Sequence, residues 1–281
     1  MKQAHSIKIH KQLVNMDRPY IMAVLNVTPD SFYEGSRVTP ASIEQRVARV
    51  ISEGADWIDV GGYSSRPGAV DISPKTEKER LMPALDILAS KYPQYPVSVD
   101  TFRADVANWA IENYNVAIIN DISGGHLDPE ILEVAGQHGL PYIGMHMRGT
   151  PQNMQQQTHY DDIIRELTLY FAQMAERASS AGISDLIIDP GFGFAKTIDD
   201  NYLLLQRLRE LLVLDKPILV GMSRKSMIYK LLNIRPGDSL HGTIALHTLA
   251  LQNGASIIRV HDVSPAFQMV AVVKKTQEQY D

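Results

Sequence analysis

The residues able to do chemistry in this chain gather at the ends of eight short apolar runs. The runs cover residues 20–27, 56–61, 97–100, 116–121, 141–147, 185–189, 217–223 and 256–261. Their ends carry Asn26, Gly61 with Gly62, Asp100, Asn120 with Asp121, His146, Asp189, Ser223, and Arg259 with His261. One carboxylate at such a place commonly caps the next helix or closes a turn. A whole series of polar ends points elsewhere, because buried carboxylates and amides need partners and a polar ligand can supply them. Arg259 and His261 stand two apart, so on a strand they share one face and together suit an anion. Residues 221–226, Gly-Met-Ser-Arg-Lys-Ser, read as a strand running into a helix. Two cations, two hydroxyls and backbone N–H groups at a helix start also favour an anion. Arg66, between Ser65 and Pro67, is a further candidate anion contact. In residues 189–194, Asp-Pro-Gly-Phe-Gly-Phe, the glycines between aromatics let backbone approach a flat ligand. His146, set in Met-His-Met-Arg, reads first as a hydrogen-bonded structural histidine.

Several chemistries are excluded. The chain has no cysteine, so thiol catalysis, disulfides and Cys-ligated zinc are out. No G-x-x-x-x-G-K-[ST], H-E-x-x-H or G-x-S-x-G occurs, which argues against P-loop, zincin and nucleophile-elbow chemistry. A net charge of −5 offers no general surface for nucleic acid or anionic membrane. The first residues are polar, without an apolar run after the lysines, and nothing resembles a secretory signal or a spanning helix. A cytoplasmic protein is expected.

The elements that must position these groups alternate. Each apolar run suits a strand buried on both faces, and each is followed by a stretch with helical spacing. Thr39-Pro40 and Ser73-Pro74 are helix starts, and Gly139, Gly182 and Gly254 are helix stops. Asp128-Pro129-Glu130 opens another helix, residues 158–181 form a long amphipathic one, and 240–252 a further one. Eight strand-then-helix units in 281 residues predict a (β/α)8 barrel with its polar strand ends on one face. A doubly wound sheet is the alternative, weakened because no G-x-G-x-x-G follows the first strand. No linker divides the chain, so residues 1–281 are expected to be one domain. Residues 1–19 precede the first barrel strand, and the alternation at 6–9 suggests a small hairpin capping the barrel.

The motifs NVTPDSF (26–32), GGYSSRPGA (61–69), VSVDT (97–101), IIND (118–121), MHMRGTPQNMQ (145–155), DPGFGF (189–194), GMSRKS (221–226) and IRVHDV (258–263) resemble the dihydropteroate synthase family of bacterial folate biosynthesis. The resemblance runs in order from about residue 20 to 270. It implies a pterin-binding barrel, usually a homodimer and the target of sulfonamides. The implied reaction joins 6-hydroxymethyl-7,8-dihydropterin pyrophosphate to p-aminobenzoate, releasing pyrophosphate.

Carried over position by position, the resemblance implies that Asp189 accepts the two donors on the pterin edge. Asp100 and Asn120 reach the other ring nitrogens. Lys225 touches the carbonyl side, Gly221 allows close backbone approach, and Met145 packs under the ring. Asn26 would hold Mg²⁺, with Arg66, Arg259 and His261 around the pyrophosphate. Phe32, Ser65, Pro67 and Phe194 would wall the p-aminobenzoate pocket, and Ser226 would meet its carboxylate. Asp30 and Glu34 fall in a first loop expected to close, with the second, over the site. Two positions depart from the family pattern: Tyr63-Ser64-Ser65 stands where Glu-Ser-Thr is usual, and Glu34 where Asp is usual. Two rival readings are a methyltetrahydrofolate methyltransferase-like barrel and a pterin-binding homologue without turnover.

Overall fold

A computed structural model describes residues 5–10, 12–28, 39–66 and 69–277. Its strands are β1 (Ser6–Ile9), β2 (Gln12–Asn15), β3 (Tyr20–Asn26), β4 (Trp57–Gly61), β5 (Val97–Asp100), β6 (Val116–Asp121), β7 (Tyr142–Met145), β8 (Leu186–Asp189), β9 (Leu219–Val220) and β10 (Ile257–Val260). The helices are α1 (Pro40–Ser52), α2 (Pro74–Lys91), α3 (Ala104–Asn113), α4 (Glu130–His138), α5 (Ile163–Ser180), α6 (Ile198–Gln206), α7 (Ser226–Tyr229), α8 (Leu240–Gln252) and α9 (Val263–Gln277).

Strands β3 to β10 form one parallel sheet in the order β8-β7-β6-β5-β4-β3-β10-β9. A bridge between Ile188 and Ile218 joins its two edges and closes the barrel. This is the (β/α)8 architecture expected from the alternation. The helices cover its outside, and outward strand residues such as Ile21, Ala23, Leu25, Ile58 and Val60 pack against them in the main core. Burial of each large aliphatic side chain contributes about 1.5–3 kcal/mol before conformational entropy is subtracted.

The inward residues differ along the barrel axis. At the strand starts Tyr20, Met22, Trp57, Ile118, Ile143, Ile187, Leu219 and Ile257 form a separate apolar cluster. The antiparallel pair β1–β2 closes that end, with Ile7 and Ile9 buried in the same cluster. The backbone N–H of Lys8 also donates to the Asp185 carboxylate at 2.9 Å. The hairpin expected from the alternation at residues 6–9 is present and caps the lumen.

Caps explain several helix boundaries. Thr39 and Ser42 form a capping box ahead of α1, and Ser73 caps α2 with Pro74 in its first turn. Gly139 adopts the left-handed conformation that ends α4. Several expected elements are shorter than their sequence patterns, two of them for clear local reasons. Helix α5 starts at Ile163 rather than 158, because Asp162 accepts the N–H groups of Ile164 and Arg165 and fixes the start there. The seventh run shrinks to Leu219–Val220, because its chain turns at once: Arg224 has φ +56° and the Lys225 N–H donates back to the Met222 carbonyl.

Candidate active site

Parallel register sets the polar mouth. Asn26, Gly61, Asp100 and Asn120 are paired neighbours across four adjacent strands, and Met145 pairs with Asp189 across the next two. A side chain on Gly61 would place its Cβ 3.1 Å from the Asn26 Oδ1 and 3.5 Å from Asp100, so glycine leaves room for both. One layer deeper, Asp59 lies fully buried on β4. Arg259 Nε donates to Asp59 Oδ2 at 2.7 Å, and Arg259 Nη2 to Asp100 Oδ2 at 2.7 Å. Asn120 Nδ2 donates to the same Asp59 oxygen at 3.0 Å. Asp59 therefore holds two of the predicted residues directly, Arg259 and Asn120, and reaches Asp100 only through Arg259. It escapes a reading of strand ends because it sits inside the apolar run Trp-Ile-Asp-Val-Gly, two residues before the end. That inward period of two was the available signal.

The electrostatics follow from this crowding. Burial pushes the Asp100 carboxyl above the usual carboxylate range against the pull of Arg259, and the Asp59 and Glu77 charges add to the rise. Burial also raises Asp189, while Lys225, Arg259, Lys196 and the Gly191 N–H pull it back. The Gly191 N–H donates to Asp189 Oδ1 at 2.8 Å. Lys225 is lowered to about 8, mainly by burial and against the pull of Asp189. Its Nζ donates to the Phe192 carbonyl and stands 4.6 Å from the Phe194 ring centre. Phe194, Phe102 and Met145 join a small apolar cluster beside the mouth. Gly221 would carry a Cβ 3.7 Å from that of Arg259, an ordinary contact, so the surrounding protein does not itself require glycine there.

The anion side differs from its sequence reading. Arg224 is committed elsewhere: its guanidinium makes two bonds to Asp262, at 2.8 and 2.7 Å, and one to the Gly237 carbonyl. Helix α7 is only four residues long, too short for a developed macrodipole. Ser226 opens it and is partly buried. His261 is exposed, and its Nδ1 lies 3.1 Å from Ser223 Oγ, which also accepts the His261 backbone N–H. Desolvation lowers the His261 pKa, and the Arg259 and Arg46 cations lower it further. Arg66 is exposed in the loop after β4, with Ser65 partly buried beside it. Asp30, Phe32, Glu34 and Pro67 lie outside the described residues, as does most of the first loop.

The departure at position 63 has a structural counterpart. Tyr63 sits edge-on to Phe102 with ring centres 5.0 Å apart, and its hydroxyl accepts from Gln152 Nε2 at 3.1 Å. Arg103 lies over both rings and donates to Asp71, Glu77 and the Ile72 carbonyl. Asp121 faces away from the lumen and holds a turn, accepting from Ser123, Gly125 and Tyr142. His146 is buried against Tyr170 and is structural, as its sequence context suggested.

Comparison with known proteins gives this geometry a lineage. The pterin binding enzyme family matches residues 22–261. Dihydropteroate synthase of Escherichia coli strain K12 is 42% identical over 268 residues, covering 94% of this chain and 93% of the relative. The chain belongs to the dihydropteroate synthase family. Among solved structures of the family, the Yersinia pestis enzyme with a sulfonamide drug superposes with a TM-score of 0.91 at 39% identity. That match covers 97% of this chain and 99% of the other. The Xanthomonas albilineans enzyme with 4-aminobenzoic acid gives 0.90 at 34% identity, covering 99% and 100%. In family terms, the polar strand ends stand on the barrel face where ligand sites are built in this fold.

Proposed function

We propose that the chain catalyses dihydropteroate synthesis, joining 6-hydroxymethyl-7,8-dihydropterin pyrophosphate to p-aminobenzoate. The observation that carries this reading is the pairing at one open end of the lumen of Asp189, Asp100, Asn120 and Lys225 with the Arg259 cation. A pterin edge presents adjacent N–H donors, which an ionised Asp189 accepts together. Asn120 and Asp100 would meet the remaining ring nitrogens, Lys225 the carbonyl, and Met145 the ring face. Arg259 retains N–H groups beyond those given to Asp59 and Asp100, and these would meet the pyrophosphate with Arg66 and His261.

In the reaction the bond between the methylene carbon and the pyrophosphate oxygen breaks, and its electron pair leaves with pyrophosphate. The electron-rich pterin spreads the resulting positive charge, and the Asp100 carboxylate stabilises it. The lone pair of the aniline nitrogen then forms the new C–N bond, and that nitrogen afterwards loses its proton to solvent or to the departing anion. Phe194, Ser65, Phe32 and Pro67 would flank the aminobenzoate, with Ser226 near its carboxylate. Asp30 and Glu34 belong to the loop that would exclude water during this step.

Among the described residues no group of three His, Cys, Asp or Glu side chains could cage a metal ion. The donor set fits instead a hard ion held by the Asn26 carboxamide oxygen and the substrate's own phosphates. Mg²⁺ held there would neutralise charge on the leaving pyrophosphate. Exposed apolar residues late in the chain, Leu231, Leu232, Leu249 and Phe267, support a homodimer formed through the last helices. A pyrophosphate ester does not cross membranes unaided, which supports a cytoplasmic setting. The methyltransferase-like reading gains nothing from the paired Arg259 and His261.

The test is direct assay. Protein, dihydropterin pyrophosphate, Mg²⁺ and p-aminobenzoate should yield dihydropteroate by mass. Asp189→Ala should melt near the wild type yet bind no pterin. Absence of product across a Mg²⁺ series would sink the proposal.

A further inference from the structure

Lys196 is a charged residue that the reaction above does not use. It is 4% exposed and follows the Asp189–Phe194 segment on the loop after β8. Its Nζ meets three acceptors: His146 Nδ1 at 3.0 Å, the Gly191 carbonyl at 3.1 Å and the Phe194 carbonyl at 3.1 Å. An ammonium group has three N–H bonds, so one charged lysine satisfies all three acceptors. The turn it grips is tightly determined. Gly191 has φ +71°, and a Cβ there would stand 2.1 Å from the His146 carbonyl oxygen. The other face of the Gly191 residue donates to Asp189, and the Phe194 ring lies under Lys225.

We infer that Lys196 is a positioning residue for the pterin side of the site, its buried ammonium clamping the Gly191–Phe194 turn and placing a positive charge near Asp189. This rests on the function proposed above. Asp189 can accept two pterin donors only as a carboxylate, and burial works against that charge. Lys196 is among the cations that offset it, with Lys225 and Arg259. The groups that face Lys196 are His146 just after β7, Arg148 in the same loop, Asp189 from β8, Asp200 from α6 and Lys225 beyond β9. Burial lowers His146 well below its ordinary value, so its Nδ1 is free to accept. Burial lowers Lys196 itself to about 7, against the pull of Asp189.

The test compares Lys196→Met with wild type for binding of dihydropterin pyrophosphate and for product formation across pH 5 to 9. Wild-type turnover checks the proposed function separately. The variant is expected to lose about ten- to a hundredfold in pterin affinity. The acidic limb of its binding profile should move up by about half a pH unit or more, because Asp189 loses a supporting charge. A purely structural lysine would lower the melting temperature without moving that limb. If Lys196→Met does not fold, Lys196→Gln keeps two N–H donors while removing the charge, and the limb should still move. A folded variant with wild-type affinity and an unmoved acidic limb overturns the inference. So does failure of both variants to fold, which would make Lys196 a stability residue only.

Discussion

Strand β4 passes through both ends of the lumen in five residues. At the hairpin end Trp57 stacks on Tyr20 with ring centres 5.2 Å apart, inside an apolar cluster closed by Ile7 and Ile9. Two residues on, Asp59 is just as buried but holds Arg259 and Asn120, and its Oδ1 has no hydrogen-bond partner. Its register neighbour Ser98 likewise has an unpartnered Oγ. At the rim Gly61 gives up its side chain to leave space. The hairpin end is complete in itself, since apolar surface needs only contact. The mouth concentrates Asp59, Asp100 and Asp189 against Arg259 and Lys225, an arrangement that burial opposes and a bound ligand can repay. On the proposed function, one end of the barrel carries stability and the other carries chemistry, with Arg259 belonging to both.

The largest effect is expected where the two roles overlap. Arg259→Met removes the cation shared by Asp59 and Asp100. It should lower product formation by about a hundred- to a thousandfold, the range for losing one donor to a developing anion. It should also cost about 3–5 kcal/mol of stability, because two buried carboxylates lose their partner. Turnover and urea unfolding measure the two losses separately. A variant that loses turnover but unfolds like the wild type would place Arg259 wholly with the chemistry and restore a clean division between the ends.

The apolar end makes the opposite prediction. Trp57→Ala removes a buried indole and should cost about 3–5 kcal/mol of stability. Among the molecules that remain folded, the KM values for both substrates should match the wild type. A shifted pterin KM would mean that packing at the hairpin end sets the position of Asp59, two residues away, and that the two ends are one unit.

These contrasts also explain what was legible in the sequence. The strands read clearly because a parallel strand buried on both faces is a nearly unbroken apolar run, and the helices because Thr39, Ser73 and Gly139 mark their ends by local chemistry. The rim residues Asn26, Asp100, Asn120 and Asp189 interrupt those runs where the strands end, so their common place at the mouth was readable. Asp59 and Lys196 were not. Each is a charge whose meaning depends on partners far away in sequence, such as Arg259 for one and His146 for the other. Arg224 was misread for the same reason, because its partner Asp262 is 38 residues distant. The start of α5 slipped because amphipathic spacing extends past the residue whose side chain caps the helix.

The smallest effect is the one that separates this chain from the commoner family pattern. Ser65 stands in the loop after β4, close in sequence to Tyr63, whose bond to Gln152 and contact with Phe102 fix the start of that loop. Ser65→Thr restores one methyl group, and burying it against the aminobenzoate ring is worth at most about 0.8 kcal/mol. That corresponds to a decrease of up to about fourfold in the KM for p-aminobenzoate. The pterin KM should stay unchanged, because no pterin-facing residue moves. A sulfonamide that occupies the same subsite should gain affinity by a similar factor. Steady-state kinetics with each substrate varied in turn decides the point. If both KM values fall together, the loop and the pterin pocket respond as one, and the rim of the barrel is no more divisible than its interior.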